Sequence, residues 1–417
     1  MKKSNLFTKI KFVVLGLFLF FLFHFESLSI GSVKISHLWK GILLLFLIFK
    51  ILSKKRKQLF VYKPLILLAV LQLVNVELFI NPFNAVFLFL TTLLLPLLGI
   101  YVLQFSSLQL QKVLLFFSSF FILSFIPYEL GIIESYGKLY NLASYGDAKQ
   151  SGIIGPFQSP HAASTALAGS FLVILYFWFT KYVNRIYLSI LLILSFYLLI
   201  FTYVRTGMLM VTLGIIPMLL YFVKKGVSTR IRLIFIGGIF SVLISGWILS
   251  NEVLIDRITG NRINKVETDS FEELGSGRGQ IYSYAVDIFL EANIFEKVIG
   301  VGQTEQVKRM DKKLGSGLIP HNGFLLILLN TGAIGLFVFL VFIRKVINSC
   351  GTLAPSDKIL TQGLLFAYVI MTFFQNYDLI YAYLLLVLSV AHSNKLTNQK
   401  KLNQIYFSKY YHLSDDE

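Results

Sequence analysis

Three residue types in this chain are placed where they could handle an anion and a proton: Arg205, Arg278 and His321. Arg205 stands alone in a short polar break, Thr202-Tyr203-Val204-Arg205-Thr206-Gly207, between two apolar runs, with no acid near it in sequence. It reads either as an arginine snorkelling from a helix end or as an anion site. The planar guanidinium fork matches phosphate oxygens. Arg278 lies in Gly275-Ser276-Gly277-Arg278-Gly279, just before a stretch with helical spacing. Glycines there would let backbone approach a ligand, and the start of the helix favours an anion. The same segment could equally be a flexible turn with a solvated arginine. His321, in Pro320-His321-Asn322-Gly323-Phe324, opens an apolar run. The positive end of that helix should lower the imidazole pKa, leaving a neutral group able to accept a proton; interfacial anchoring is the competing reading. Counting about 100° per residue puts Gly332 within about 20° of His321, and Gly335 about 40° to the other side. That predicts a face of small residues suited to close helix packing.

His161 and Gln158 belong to Gly155-Pro156-Phe157-Gln158-Ser159-Pro160-His161. Ser159 then Pro160 reads as the cap and first position of a helix, setting His161 at the level of His321. Its role could be structural or functional, and Asn322, Gly332, Gly335, His161 and Gln158 are taken as supporting residues. Other chemistries lack their residues. There is no G-x-x-x-x-G-K-[ST] phosphate loop, no Asp-x-Asp pair in the segments at issue and no Cys/His cluster. No metal and no cofactor are expected.

Positioning these residues falls to apolar runs. Hydrophobic residues make up 56% of the 417 and charged residues 14%, against roughly 25% charged in soluble domains. Several runs approach the ~20 residues that cross a bilayer. About twelve spans are expected: 10–30, 35–52 (weakened by Lys40), 60–80, 83–103, 108–127, 161–180, 186–204, 206–223, 233–250, 321–343, 359–375 and 377–392. The fold class is an all-α polytopic membrane protein with one large outer loop containing a surface helix. Its parts are an N-terminal bundle 1–127, an outer loop 128–160, spans in 161–250, a large outer loop 251–320, C-terminal spans in 321–392 and a tail 393–417. Within the large loop, Ile281, Tyr284, Ala285, Ile288 and Phe289 have helical spacing and predict a helix lying on or near the membrane surface. The net charge of +17 sits in short basic segments between spans, so it reads as a topology signal rather than a nucleic-acid surface. Both termini are then cytoplasmic and residues 128–160 and 251–320 lie outside. Met1-Lys2-Lys3 and its apolar run read as a retained span, since no small-residue cleavage site follows. The single Cys350 excludes an internal disulfide.

The order of these motifs resembles the O-antigen ligase and polysaccharide polymerase family. The resemblance is carried by HNGFLLILLNTGAIGLFVFL (His321, Asn322, Gly332, Gly335), by TYVRTGMLM around Arg205, and by GSGRGQIYSYAVDIFLEANIFEKVIGVG with Arg278, Gly300 and Gly302. It covers residues 150–345 best. Where the family usually has Ser-Arg, this chain has Val204-Arg205. The resemblance implies a glycosyltransferase of the bacterial cytoplasmic (inner) membrane whose donor is a glycan on undecaprenyl diphosphate. Arg205 and Arg278 would hold the diphosphate, and His321 would be base toward a glycan or lipid acceptor. Membrane lipids, a flippase and a chain-length regulator are the further partners implied for surface polysaccharide (O-antigen or capsule) biosynthesis, with no nucleic acid. A repeat-unit polymerase is the leading reading and a ligase to a lipid A core the alternative. A lipid flippase is the rival from another class, but it predicts repeated halves, which the sequence lacks.

Overall fold

A computed structural model describes residues 29–30, 33–52, 61–133, 152–157, 159–180, 183–223, 278–314, 319–351, 353, 355–376, 382–393 and 396. The expected spans 10–30 and 233–250, the loop portion 251–277, Gln158 and nearly all of the tail 393–417 lie outside them. Apart from a two-residue antiparallel pair, β1 (Ser29–Ile30) with β2 (Val33–Lys34), the described regular structure is helical. The helices are α1 (Ile35–Leu52), α2 (Lys63–Val74), α3 (Glu77–Ile80), α4 (Pro82–Val102), α5 (Ser107–Leu123) and α6 (Ile126–Glu129). After these come α7 (Pro160–Thr180), α8 (Arg185–Phe201), α9 (Arg205–Val223), α10 (Arg278–Glu291), α11 (Ile294–Ile299), α12 (Gln303–Leu314), α13 (Gly323–Gly351) and α14 (Pro355–Phe374). The last is α15 (Ala382–Ser393).

Among the described residues, five helical stretches are long and apolar enough to cross a membrane: Lys63–Ile80, Pro82–Val102, Ser107–Glu129, Pro160–Thr180 and Gly323–Gly351. Four shorter apolar helices accompany them: Arg185–Phe201, Arg205–Tyr221, Lys358–Phe374 and Ala382–Ser393. The described residues are therefore almost entirely helical, with several apolar helices suited to a membrane; of the twelve expected spans, 233–250 and nearly all of 10–30 fall outside them. The bundle core is a continuous set of buried Leu, Phe, Ala and Val side chains drawn from α1, α2, α4, α5, α7, α8, α9, α13, α14 and α15. Lipid tails are as apolar as leucine, so close backbone packing has to hold such helices together. The α9–α14 crossing does this: a Cβ on Gly363 would come within 2.6 Å of the Gly214 carbonyl oxygen, and one on Gly214 within 3.0 Å of Gly363's.

The decisive departure from regularity is in α13. Gly332 has φ 67° and ψ −170°, a non-helical conformation between two helical segments. Phe324 and Phe339 are fifteen residues apart, which a straight helix would separate by ~22 Å. Their ring centroids are 5.8 Å apart, so the first segment folds back at Gly332. The face of small residues predicted by counting 100° steps from His321 to Gly332 and Gly335 does not exist as such, because the helical count stops at Gly332. Instead, each glycine has a local task. A Cβ on Gly332 would lie 2.3 Å from the Val298 carbonyl oxygen, and one on Gly335 would collide with the Thr331 side chain.

The break is held by the segment between α11 and α12. Val301 N–H donates to the Leu329 carbonyl at 2.8 Å, and Gly300, at φ 97°, leaves no room for a Cβ against the Asn330 carbonyl. From the other side, the Asn75 amide donates to that same Asn330 carbonyl at 2.6 Å. One turn of α12 is tied down by Glu77, fully buried, whose carboxylate accepts from Thr304 N–H (2.8 Å), Thr304 hydroxyl (2.5 Å) and Asn84 amide (2.6 Å). Helices α10 to α12 thus form a cap with its own small core of Ala285, Ile288, Ala292, Val301 and Met310, seated on Leu329. On the apolar face of the expected surface helix, Ala285 and Ile288 lie in this small core, with Ile281, Tyr284 and Phe289 packed around it.

Gly332→Ala should destabilise the protein by about 1–3 kcal/mol from backbone strain alone, with the Val298 clash adding to that. A thermal midpoint in detergent should fall clearly for Gly332→Ala and stay unchanged for Gly351→Ala, where a Cβ meets nothing within 4 Å.

Candidate functional site

The candidate residues gather where helix ends meet. α7 and α9 begin there, α8 and α14 end there, and α13 and α10 begin above them. The α8–α9 turn is tight: Thr202 hydroxyl accepts from Val204 N–H at 3.3 Å, and Tyr203 takes a positive φ of 55°. Val204, standing where the resembled family has serine, is buried. Segment 152–157 braces this turn through Ile153 N–H to the Phe201 carbonyl at 2.8 Å.

Arg205 is the first residue of α9 and is exposed, while its neighbour Thr206 is buried. Thr206 faces Gln375, whose side-chain nitrogen is 3.4 Å from the Thr206 hydroxyl and donates to His161 Nδ1 at 2.8 Å. Gln375 directly follows α14 and is 3% exposed, so its amide is fixed between two other helix starts. His161 is the second residue of α7, with Ser159 capping through its hydroxyl to Ala162 N–H at 3.2 Å, as the Ser-Pro-His order predicts. The His161 ring stacks on the His321 ring, with centroids 6.3 Å apart and planes 30° apart.

His321 is partly buried and lies two residues before α13 rather than inside it. Asn322 is the cap: its side-chain oxygen accepts from Phe324 N–H (3.0 Å) and Leu325 N–H (3.1 Å). The histidine is therefore held at the positive end of the short segment that folds back at Gly332. Its carbonyl accepts a hydrogen bond from the Tyr282 hydroxyl at 2.9 Å, and the same hydroxyl lies 3.5 Å from the Phe373 carbonyl at the end of α14. Tyr282 is one turn into α10, whose first residue is Arg278. The Arg278 backbone is described, and its side chain lies outside the description.

The arrangement thus brings His321 and His161 into ring contact. It ties Arg205 to them through Thr206 and Gln375, and ties the helix beginning at Arg278 to them through Tyr282. Gly332 and Gly335 do not line this place; they shape the helix that delivers His321 to it. Three contributors escaped the sequence reading. Gln375 was legible only as part of the polar break Gln375-Asn376-Tyr377-Asp378, Thr206 only as a neighbour of Arg205, and Tyr282 carried no signal among its apolar neighbours.

Chemically, the place offers an imidazole base candidate at a helix start, a second imidazole fixed by an amide, and two arginines at helix N-termini, where unsatisfied backbone N–H groups already favour an anion. The described basic residues Arg185, Lys358, Arg344 and Lys345 belong to the start of α8, the start of α14 and the later part of α13, away from this end.

Ion pairs tie the three helices of the cap to one another. Arg309 bridges Glu296 (2.7 and 3.2 Å) and Glu305 (2.9 Å), and Lys313 reaches Glu291 at 2.7 Å. The Arg309 hydrogen bonds hold the Glu296 carboxyl below its ordinary range.

A comparison with curated proteins finds no match. A family model described as O-Antigen ligase matches residues 190–340, just over a third of the chain, and this stretch includes Arg205, Arg278 and His321. Residues 190–340 are thus similar to the O-antigen ligase family, in the place where the sequence motifs resemble it.

Proposed function

We propose that this protein is a membrane glycosyltransferase that joins glycans carried on undecaprenyl diphosphate at the outer face of a bacterial cytoplasmic membrane, acting as a repeat-unit polymerase in surface polysaccharide synthesis. The observation that carries this reading is the convergence of His321, His161, the Arg205 turn and the Arg278 helix at one end of the apolar bundle, in a region matching the O-antigen ligase family.

In this reading the His321 imidazole takes the proton from an acceptor hydroxyl as that oxygen attacks the anomeric carbon of the donor. The bond from that carbon to the diphosphate oxygen breaks, and the lipid diphosphate leaves with the electron pair. Arg205 and Arg278 balance the charge gathering on the leaving oxygen, the kind of preorganised electrostatic aid that counts most where water is excluded. The diphosphate is a good leaving group, so two guanidinium groups supply the charge the step requires. His161, fixed by Gln375, steadies the ring of His321 by stacking on it. The matched family's description favours a second reading, a ligase that passes the finished glycan to a lipid A core or another surface acceptor. The two readings share the chemistry and differ in the acceptor.

Complementation of a deletion strain tests this, scored by glycan chain length. His321→Ala, inserted at normal level, should abolish extension. Normal chains from that variant would remove His321 from the chemistry. Accumulation of single repeats supports polymerisation, and long lipid-linked chains that are never transferred support ligation. Arg205→Lys keeps the charge and loses the planar fork, so turnover should fall about 10-fold or more if the contact is bidentate, where 1.4 kcal/mol is one factor of ten. Full activity of Arg205→Lys would argue for a simple charge instead.

A further inference from the structure

We propose that the corner between α10 and α11 is a lipid-docking edge, in which Leu290, Ile294, Phe295 and Val298 insert among the lipids of the membrane that the apolar helices cross. This goes beyond the catalytic reading and does not depend on it.

The cap as a whole is built like a soluble subdomain, with a small buried core and paired charges, yet this corner is not. Leu290 is 61% exposed, Ile294 79%, Phe295 58% and Val298 38%. Single exposed apolar side chains are ordinary on any protein surface. Four large ones within nine consecutive residues mark a contact surface. Three polar side chains of the same stretch are engaged within the protein. Asn293 and Glu296 close a reciprocal capping box at the start of α11, Glu296 continues to Arg309, and Glu291 to Lys313. The stretch is therefore amphipathic, with charge toward α12 and apolar side chains outward.

Its level in the molecule indicates the occupant. Immediately after α11, Val301 bonds to Leu329 beside the Gly332 break, and the next carbonyl, that of Asn330, is bonded by Asn75 at the end of α2. Thr304 bonds to Glu77 in the same junction between α2 and α4. Tyr282, earlier in α10, touches the end of α14. The corner is thus held level with the ends of the membrane-spanning helices, where an amphipathic segment meets the boundary between headgroups and acyl chains. At that same junction Phe79 and Phe83 are 80% and 84% exposed, so the spans' own lipid-facing surface reaches this level. Acyl chains at the boundary continue that surface; water would leave the four side chains bare.

The apolar face of α10 packs against α12 and α13, and contact with lipid passes to the following corner. Docking there would hold the cap, and with it Tyr282 and the start of α10, at a fixed height over the bundle end.

The test uses full-length protein in phosphatidylethanolamine–phosphatidylglycerol vesicles, with Cys350→Ser to remove the single native thiol. Nitroxide labels are placed in turn at Ile294→Cys, Phe295→Cys, Phe83→Cys and Lys308→Cys, the last an exposed position on α12. Power saturation then compares accessibility to oxygen, which partitions into lipid, with accessibility to a water-soluble nickel chelate. Labels at 294 and 295 should favour oxygen severalfold, as at 83, and the label at 308 should favour nickel. Labels at 294 and 295 as open to nickel as at 308 would overturn the proposal. Shielding from both reagents would do so too, and would point to a protein partner. Where a label disturbs insertion, Phe295→Trp keeps an apolar ring: brominated lipids should quench the added fluorescence, and absence of quenching counts against lipid contact.

Discussion

The structure depends on a backbone-to-backbone contact at the break in α13. Gly332 can adopt φ 67° because it lacks a Cβ, and the carbonyl of Val298 occupies the space a Cβ would need. Gly300 makes the reciprocal approach to Asn330, and Val301 binds the Leu329 carbonyl that an unbroken helix would have used internally. A break in an apolar helix exposes polar backbone in a medium that cannot satisfy it. Here Val301 and Asn75 take over the freed carbonyls of Leu329 and Asn330. The cap and the bundle are therefore joined at the point where α13 turns back, and the cap cannot be displaced without reopening the Leu329 carbonyl.

This junction determines where His321 goes. Continuing straight, the first segment of α13 would carry the histidine away from the bundle end. Folded back, it places Phe324 against Phe373 and Phe339, and the two imidazoles in contact. The remaining contributors are also helix ends. His161 and Arg205 stand at helix starts, Gln375 just past a helix end, and Tyr282 one turn into α10. Helix starts supply unsatisfied N–H groups and a positive dipole, so a collection of them is predisposed toward anions before any arginine is added. The glycine crossing between α9 and α14 brings the starts and ends close enough for Gln375 to reach two helices at once.

Local features were legible in the sequence. Apolar run length outlined the described helices Lys63–Ile80, Pro82–Val102, Ser107–Glu129, Pro160–Thr180 and Gly323–Gly351, the Arg205 turn fell between helices and Gln375 just past the end of α14 as expected, and Ser159-Pro160 capped α7. Hidden from it were the contacts made across long separations: Gln375 meets His161 from 214 residues away, and Tyr282 meets His321 from 39. Periodicity reports which residues share a face of a regular helix, so it misplaced Gly332, whose conformation ends the regularity. Nor does hydrophobic spacing by itself distinguish lipid from the small core that Val301, Met310 and Leu329 supply to α10.

The most direct measurement is the proximity of the two arms of α13. With Cys350→Ser as background, Phe324→Cys and Phe339→Cys together should be joined by a short bifunctional thiol reagent in the membrane-inserted protein, and Gly332→Ala should reduce the yield. Absence of any cross-link with both thiols reactive would mean a straight helix, with these positions ~22 Å apart, and His321 would then stand clear of His161 and of the end at which the arginines sit.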